Sequence, residues 1–339
     1  MLSRLRSLLF PSRRQHSGSL VSGVPLLEPA FTEESGAMAG RLRDAWIGML
    51  LGVNSPLELP SNPFERHALK RLGRLLEDEH KVSTLVPRMP SVLPKLLSSF
   101  RDPMATSRDL AELIGRDLVS VAEVVRLANT PYYRRSKPVE SLEQAVLVLG
   151  QRGLRQVVAN LLMRPLFSAR TGHFSKLAGQ MLWEQAELTA LLAAGLARSD
   201  GEDEFTAYLA GISSNLGLLV GCRVLDELFD GTHTPCSQQF HLEWYLLARQ
   251  LSAVVVGNWE LPAAVLDQLQ ALADEARQLG ERTARRLLLA EQCSHYEMLR
   301  LQGRLNQTEA GGWLLQPHML PLLRVLEEAR QRFEPALRR

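Results

Sequence analysis

Side chains able to bind a metal ion come close together at one place in the sequence. His233, Cys236 and His241 offer two imidazoles and a thiol within a short stretch. A structural zinc site needs four such donors, usually as two regularly spaced pairs. No second pair with that spacing accompanies this cluster, so the pattern favours an ordinary polar loop. Four further histidines lie in charged segments that we expect to be exposed: His67, His80, His295 and His318.

Glycine-rich and nucleophile motifs of common enzymes are missing from the sequence. It contains neither G-x-x-x-x-G-K-[ST] nor G-x-G-x-x-G, whose backbone amides bind phosphates. The stretch Gly211-Ile-Ser-Ser-Asn215 lacks the closing glycine of a nucleophile elbow and has helical patterning on both sides. The sequence therefore carries none of these phosphate-binding or nucleophile signatures.

The overall composition indicates a globular protein built from helices. The chain has 339 residues, of which 45% are apolar and 22% charged, the usual balance of a folded protein. Its 65 leucines far outnumber its three isoleucines, and leucine favours helices more than β-branched isoleucine does. A formal net charge of +2 gives no general attraction to nucleic acid. We therefore expect an all-α protein without a nucleic-acid partner.

Helical periodicity and capping residues place a series of helices along the chain. Ser141 and Gln144 form a capping box that opens a helix ending near Gly150. The stretch 182–196 carries little charge and should lie at the centre of a bundle. Further helices are predicted over residues 41–53, 63–79, 118–129, 151–167, 205–229, 241–260, 262–279, 281–301 and 317–333.

Cysteine usage and apolar runs bear on the cellular location. The three cysteines are odd in number and widely spaced, as is usual in the reducing cytoplasm. Residues 1–10 are basic with too short an apolar run for a secretory signal. They begin a predicted flexible linker that spans residues 1–40. The alternative for these basic residues is contact with an anionic membrane surface or with a partner. The charge-free stretch 205–222 contains polar residues and glycines, so we expect a buried core helix rather than a transmembrane segment. The predicted location is the cytoplasm.

Several linked stretches resemble, in their order and spacing, one family of bacterial signalling modules. Leu127-Ala-Asn-Thr-Pro-Tyr-Tyr133 is similar to the L-A-N-S-x-x-Y turn of that family, with Thr130 in place of serine. The other stretches are Val86–Leu96, Asp109–Asp117, Val139–Val146, Leu149-Gly150, Leu182-Trp183, Tyr208–Ile212 and Trp259–Pro262. Together they make residues from about 87 to 280 resemble the HDOD domain, a relative of the HD-domain phosphohydrolases. The resemblance implies a multi-helix HDOD/HD-like bundle, here with extra N- and C-terminal helices.

The residues that replace the metal ligands of catalytic HD relatives define a vestigial pocket. The resemblance implies that the first ligand histidine appears here as Gln185, and the His-Asp pair as Ser214-Asn215. The later histidine positions fall near Ala248 (or its neighbour Arg249) and near Leu272. Amides and hydroxyls are weak uncharged donors and alkyl groups donate nothing, so this set predicts no divalent metal. From the missing ligands we predict no catalytic residue and no cofactor, and we expect that the protein is not an enzyme. Either Gln185, Ser214 and Asn215 hydrogen-bond one another or the backbone, or they line a repurposed ligand pocket.

The resemblance divides the chain and suggests functions of different classes. The predicted divisions are a linker over 1–40, a helical extension over 41–82, the HDOD domain over 83–280 and a second helical extension over 281–339. The leading hypothesis is a non-catalytic signalling or regulatory protein that binds another protein. The alternatives are a sensor that binds a nucleotide or other small ligand in the vestigial pocket, and a metal-dependent phosphohydrolase. The arginines of residues 324–339 alternate with glutamates, which favours a solvated helix face over nucleic-acid binding.

Overall fold

A computed structural model describes most of the chain from residue 33 onward. The described residues are 33–54, 56–78, 82, 85, 114, 118–130, 133, 138–168, 171–259, 261–305 and 312–337. The predictions about the basic tip and about the stretches 86–96 and 109–117 fall almost entirely outside these residues, as does His80.

The regular elements of the described residues are helices, and the all-α prediction is confirmed. Their bounds are α1 Glu33–Leu50, α2 Pro63–Leu76, α3 Leu118–Ala128, α4 Leu142–Met163, α5 Phe174–Ser199, α6 Glu204–Ser213, α7 Leu216–Leu228, α8 Gln238–Gly257, α9 Ala263–Ala273, α10 Glu275–Gly280, α11 Arg282–Leu301 and α12 Leu320–Leu337, with 3-10 turns at Arg164–Phe167 and Pro317–Met319. An isolated parallel bridge joins Leu57 to Ser237.

Short polar side chains begin several of these helices, as the sequence predicts. The Ser141 hydroxyl accepts a hydrogen bond from the Gln144 amide at the start of α4. Gly150 then interrupts α4 with a φ of 62°, so the predicted end near Gly150 is a kink inside one longer element. Asp203 caps α6 and Ser237 caps α8 in the same manner.

Helix α5 is the central element of the core. Most of its side chains are buried, and α6, α7, α11 and α12 all pack against it. The central position predicted for residues 182–196 is therefore confirmed. A helix buried on every side carries few charges, because each buried charge would need a partner to offset its lost hydration.

The apolar stretch predicted as one helix over 205–229 is two helices. A turn at Ser214 and Asn215 separates α6 from α7. By length and composition, residues 204–228 are the candidate membrane span within the described chain, and 89% of their most apolar window is buried inside the fold. Core helices of a folded domain are expected to be buried to this extent.

Helices from both ends of the described chain complete the same core. Helix α1 begins at Glu33, before its predicted start near residue 41, and packs on α8 and α11. Helix α2 packs on α7 and α8, and its buried Glu65 accepts hydrogen bonds from the Ser237 amide (2.8 Å) and hydroxyl (2.9 Å). At the other end, α11 and α12 pack on α5.

Candidate functional site

The predicted pocket residues Gln185 and Asn215 meet in the core and hydrogen-bond each other. The Asn215 side-chain amide donates to Oε1 of Gln185 and to the backbone carbonyl of Leu182, the latter at 3.0 Å. The Gln185 amide donates to the hydroxyl oxygens of Ser294 (2.6 Å) and Thr189 (3.1 Å). We call these four residues, Gln185, Thr189, Asn215 and Ser294, the amide network.

Helices α5, α7 and α11 each contribute to the amide network. Gln185 and Thr189 lie one turn apart on α5, Asn215 immediately precedes α7, and Ser294 lies on α11. The Thr189 hydroxyl is 2.9 Å from that of Ser294 and 2.8 Å from the Gln185 carbonyl oxygen. The exposure of all four residues is 1% or less. Their polar atoms are therefore largely occupied by one another, as buried polar groups require.

Ser214 and Ala248 mark the place where α7 and α8 cross. The Ser214 hydroxyl donates to the Gly211 carbonyl (2.8 Å), and its own carbonyl accepts from the Ser252 hydroxyl (2.6 Å). Ser252 also accepts from the Gly217 amide at 2.9 Å. A Cβ added at Gly217 would lie 1.7 Å from the Ala248 carbonyl oxygen. Ala248 therefore serves close helix packing, and a larger side chain at Gly217 has no room.

Leu272, the last predicted pocket position, is buried on α9 outside the hydrogen bonds of the amide network. Its exposure is 2%, and its carbonyl accepts from the Gln278 side chain at 2.6 Å. Four of the predicted pocket positions thus lie on or beside α5, α7 and α8: Gln185, Ser214, Asn215 and Ala248. Leu272 contributes an apolar core contact instead.

A buried ion pair lies beside the amide network. Arg249 on α8 donates to Glu291 on α11, and both side chains are less than 10% exposed. The Arg249 guanidinium also lies 4.6 Å from the centre of the Tyr245 ring. Burial acts to raise the pKa of Glu291, but the charge of Arg249, the nearby His295 and the hydrogen bonds from Arg249 and Tyr245 together lower that pKa below its ordinary value. The pair is therefore charged on both sides.

His295, adjacent to Ser294 on α11, is buried, so its predicted exposure is wrong. Its exposure is 1%, and its ring stacks on that of Trp46 at a centroid distance of 5.9 Å. Burial lowers its pKa to about 4, despite the nearby carboxylate of Glu291. His67 is exposed as predicted, and the side chain of His318 lies outside the described residues.

Sequence reasoning missed Thr189, Glu291, Ser294 and His295. The segment containing the last three carries many charged residues, which suggested an exposed helix. Helix α11 instead buries two faces, one against α5 and one against α1. The sequence did carry one signal for these residues. Glu291, Ser294 and His295 are spaced i,i+3 and i,i+4, so they share one face of the helix, but this spacing does not identify the helix that packs on that face.

The donors present do not fit a divalent metal. The amide network offers neutral amides and hydroxyls, and Ala248 and Leu272 offer no donor atom. Over the part of the chain that the structure describes, no group of three or more His, Cys, Asp or Glu side chains is placed to hold a metal ion. His241 is buried in the first turn of α8, with its Nε2 2.7 Å from the Pro235 carbonyl oxygen. His233 lies in the loop before α8, with its Nδ1 2.7 Å from the Thr232 hydroxyl.

An open groove of about 520 Å³ lies between α1, the segment before α2 and the start of α8. It is lined by Arg43, Asp44, Glu58, Leu59, Pro60, Gln238, Gln239 and Leu242. None of these residues belongs to the amide network or to the predicted vestigial pocket. The groove is therefore a separate feature of the surface.

The helical core defines the class of protein, an all-α domain. The chain matches the family model described as the HDOD domain over residues 86–275, more than half of its length. It belongs to the HDOD family, and the family resemblance is confirmed. The matched range lies inside the predicted domain, residues 83–280.

Solved structures with the same fold include proteins with different names. A protein from Shewanella amazonensis SB2B, named as a metal-dependent phosphohydrolase, has a TM-score of 0.57 and 18% identity over 80% of this chain and 100% of its own. An HDOD domain protein of unknown function from Geobacter sulfurreducens has a TM-score of 0.54 and 18% identity over 77% of this chain and 99% of its own. A protein from Marinobacter aquaeolei VT8, named as a signal transduction protein, has a TM-score of 0.50 and 19% identity over 89% of this chain and 68% of its own. At these identities the likeness establishes the fold alone.

A relative of greater length occurs in Treponema pallidum (strain Nichols). This uncharacterized protein is 24% identical over 198 residues, which cover 55% of this chain and 37% of the relative. The match thus spans well under half of that protein's length.

Proposed function

We propose that this chain is a non-catalytic regulatory protein of a signalling pathway, which acts by binding another protein through its HDOD scaffold. Membership of the HDOD family and the neighbour named as a signal transduction protein support the signalling class. The proposal assigns no reaction to the chain.

The amide network is the observation that carries the proposal. The family resemblance implies that Gln185 and Asn215 stand at metal-ligand positions of HD phosphohydrolases, and their amides bond to each other and to neighbouring hydroxyls in the closed core. Without strong ligands there is no metal to activate a water molecule for phosphodiester hydrolysis. The name of the Shewanella neighbour is therefore not extended to this chain.

The absence of catalysis is tested on the purified full-length protein. Metal content is measured after growth with added manganese and iron, and hydrolysis is measured with bis(p-nitrophenyl) phosphate and with a cyclic dinucleotide. We expect far less than one metal ion per chain and no hydrolysis above the buffer rate. One metal ion per chain, together with hydrolysis that EDTA abolishes, would overturn the proposal.

The binding of a protein is tested by affinity purification of the tagged chain from its native cells, with the tag alone as control. We expect a partner that survives nuclease treatment and that re-forms a complex when both proteins are purified separately. Recovery that nuclease abolishes would argue for nucleic acid instead. Failure to recover a partner, combined with a rise in melting temperature on adding nucleotides, would argue for a small-ligand sensor.

A further inference from the structure

Helix α2 presents a row of positive charges to solvent. Arg66, Lys70 and Arg74 are spaced four residues apart on this helix, and all three are exposed, whereas the opposite face of the helix is buried in the core. Successive cations therefore lie about 6 Å apart along the helix axis. We call these three residues the basic row.

The basic row has no carboxylate partner among the described ion pairs of the chain. Arg66 donates to the backbone carbonyl of Ser61, which carries no net charge. Arginines on other helices are neutralised internally: Arg152 and Arg198 both pair with Glu204, at 3.0 Å and 3.4 Å. The basic row is thus a concentration of like charge that the protein itself does not offset.

Keeping three like charges at this spacing costs stability. Cations at i and i+4 repel each other and destabilise a helix. Helix α2 withstands this repulsion through its buried apolar face and its capping box, in which the Asn62 side chain accepts from the Glu65 amide at 2.9 Å. A partner that brought carboxylates to the basic row would remove the repulsion when it bound.

The groove between α1, the segment before α2 and the start of α8 begins beside the basic row. Leu59 and Pro60 line the groove and directly precede Ser61, whose carbonyl accepts from Arg66. Leu242 of α8 lines the groove as well, and both leucines are exposed. The surface therefore offers apolar contacts next to fixed positive charge.

Exposed carboxylates limit the width of this positive surface. Glu58 precedes α2, Glu77 lies at its C-cap, and Glu227 of α7 lies 3.8 Å from Arg71. A nucleic-acid duplex or an anionic membrane is wider than one helix, so its phosphates would also meet these carboxylates and be repelled. A single acidic segment of a protein can follow the basic row without meeting them.

We propose that the basic row and the groove form one docking surface for an acidic segment of a protein partner, with its carboxylates on α2 and an apolar side chain in the groove. Charge complementarity decides the occupant, because an acidic segment supplies the partners that the three cations lack in the chain itself. Carboxylates four residues apart on a partner helix have the same spacing of about 6 Å. The inference rests on the proposed function, since it names the surface that a protein partner would use.

The test measures the binding of a labelled synthetic peptide to the full-length protein by fluorescence anisotropy. The peptide carries three glutamates spaced four residues apart and then two leucines, and the control peptide has lysines in place of the glutamates. We expect the wild type to bind the acidic peptide and not the basic one. Added salt should weaken this binding, because it screens exposed charges.

A variant that neutralises the basic row should bind the acidic peptide about tenfold more weakly, since it loses three exposed charge pairs that each contribute a few-fold. This variant is Arg66→Gln/Lys70→Gln/Arg74→Gln. The matched control removes three exposed arginines on or beside α11 and α12 and should bind like the wild type: Arg282→Gln/Arg304→Gln/Arg324→Gln. Urea denaturation should show the basic-row variant to be at least as stable as the wild type, because the repulsion within α2 is gone. If the triple variant does not fold, Lys70→Gln/Arg74→Gln replaces it.

The contribution of the groove is tested with Leu59→Gln, which should weaken binding of the acidic peptide several-fold because it removes an apolar contact. Leu147→Gln is the matched control. Leu147 is exposed on α4 and is not among the residues that line the groove, so this variant should bind like the wild type. Equal weakening by the two leucine variants would contradict the role of the groove.

Three outcomes would overturn the proposal. The first is a wild type that does not bind the acidic peptide, and the second is equal weakening in the basic-row variant and its arginine control. The third is tighter binding of duplex DNA or of phosphatidylserine vesicles than of the peptide, lost in the basic-row variant, which would assign the surface to nucleic acid or to a membrane. The proposed function fails on different results, namely metal-dependent hydrolysis or the lack of any protein partner.

Discussion

At the scale of single residues, the amide network is a closed set of hydrogen bonds in the core. The Gln185 side chain both donates and accepts, and the Asn215 side-chain amide donates twice. An amide can donate with its nitrogen and accept with its oxygen at once, so it can satisfy a carbonyl and a hydroxyl in the same closed space. Thr189 and Ser294 then complete the set because hydroxyls also play both roles.

Asn215→Ala tests the contribution of this network to stability. The substitution leaves the Leu182 carbonyl and Gln185 Oε1 buried without this donor, so we expect a loss of about 2 to 3 kcal/mol in the free energy of unfolding. Urea denaturation followed by circular dichroism measures the loss. Asn258→Ala is the control, because Asn258 is exposed and donates only to the Val254 carbonyl. Losses of equal size in the two variants would contradict a special role for Asn215.

Arg249→Met tests the buried ion pair. It leaves Glu291 buried without its cation, and we expect a loss of about 3 to 5 kcal/mol in the free energy of unfolding at pH 7.5. Urea denaturation of the wild type and the variant measures this loss.

The pH dependence of Arg249→Met follows from the same pair. In the wild type the pKa of Glu291 is lower in the folded chain than in the unfolded chain. Its ionised form therefore adds stability at pH values above the unfolded pKa, and that stability is lost as the pH falls through the folded pKa. In the variant Arg249 no longer opposes burial, the largest influence on Glu291, so the protonated carboxyl is favoured and the loss should be smaller at pH 5 than at pH 7.5. The double variant Arg249→Met/Glu291→Leu should recover much of the stability at both pH values. A single variant equally destabilised at both pH values would contradict this account.

At the scale of elements, the crossing of α7 and α8 depends on a glycine, Gly217. The backbones approach so closely at Gly217 that a methyl group would overlap the Ala248 carbonyl. The same contact sets the position of Asn215, two residues earlier, and so joins helix packing to the amide network.

Gly217→Ala tests this crossing. Because the added methyl group forces α7 and α8 apart, we expect a loss of about 3 kcal/mol or more in the free energy of unfolding, or failure to fold. Gly73→Ala is the matched control: it lies in α2 with no atom within 4 Å of the added Cβ, and should stabilise the helix by up to about 1 kcal/mol. Thermal and urea unfolding compare the two. A neutral Gly217→Ala would contradict the close approach.

At the scale of the whole molecule, the helices beyond the HDOD match belong to the same core as the matched residues. Helix α11 supplies Ser294 to the amide network and Glu291 to the ion pair. Arg330 on α12 pairs in turn with the buried Glu297 of α11, at 2.7 Å, so part of the arginine-rich C-terminal segment has an internal role. The matched residues therefore depend on the segment that follows them.

Removal of residues 281–339 tests this dependence. Without α11, the polar groups of Gln185, Thr189 and Arg249 lose partners and an apolar face of α5 becomes exposed. We expect the truncated chain to lose its cooperative thermal transition and to bind a hydrophobic dye, as measured by circular dichroism and dye fluorescence beside the full chain. Cooperative unfolding at the temperature of the full chain would contradict this expectation.

The sequence by itself determined the fold class, the family and the positions of most helices. These depend on local signals: helical periodicity, capping residues such as Ser141 and Gln144, and the ordered stretches that resemble the HDOD domain. The resemblance also predicts that Gln185, Ser214 and Asn215 replace metal ligands, and this stays a prediction that uses only residue types at matched positions.

Only the tertiary structure decided which residues complete the site. Ser294 lies 109 positions from Gln185, and nothing in the local pattern pairs them. Only the tertiary structure shows that His295 is buried and that a turn separates α6 from α7. It also shows that Leu272 makes no hydrogen bond to the amide network. Each depends on which faces meet when the helices pack, and a charged segment such as α11 can be buried once another helix supplies its partners.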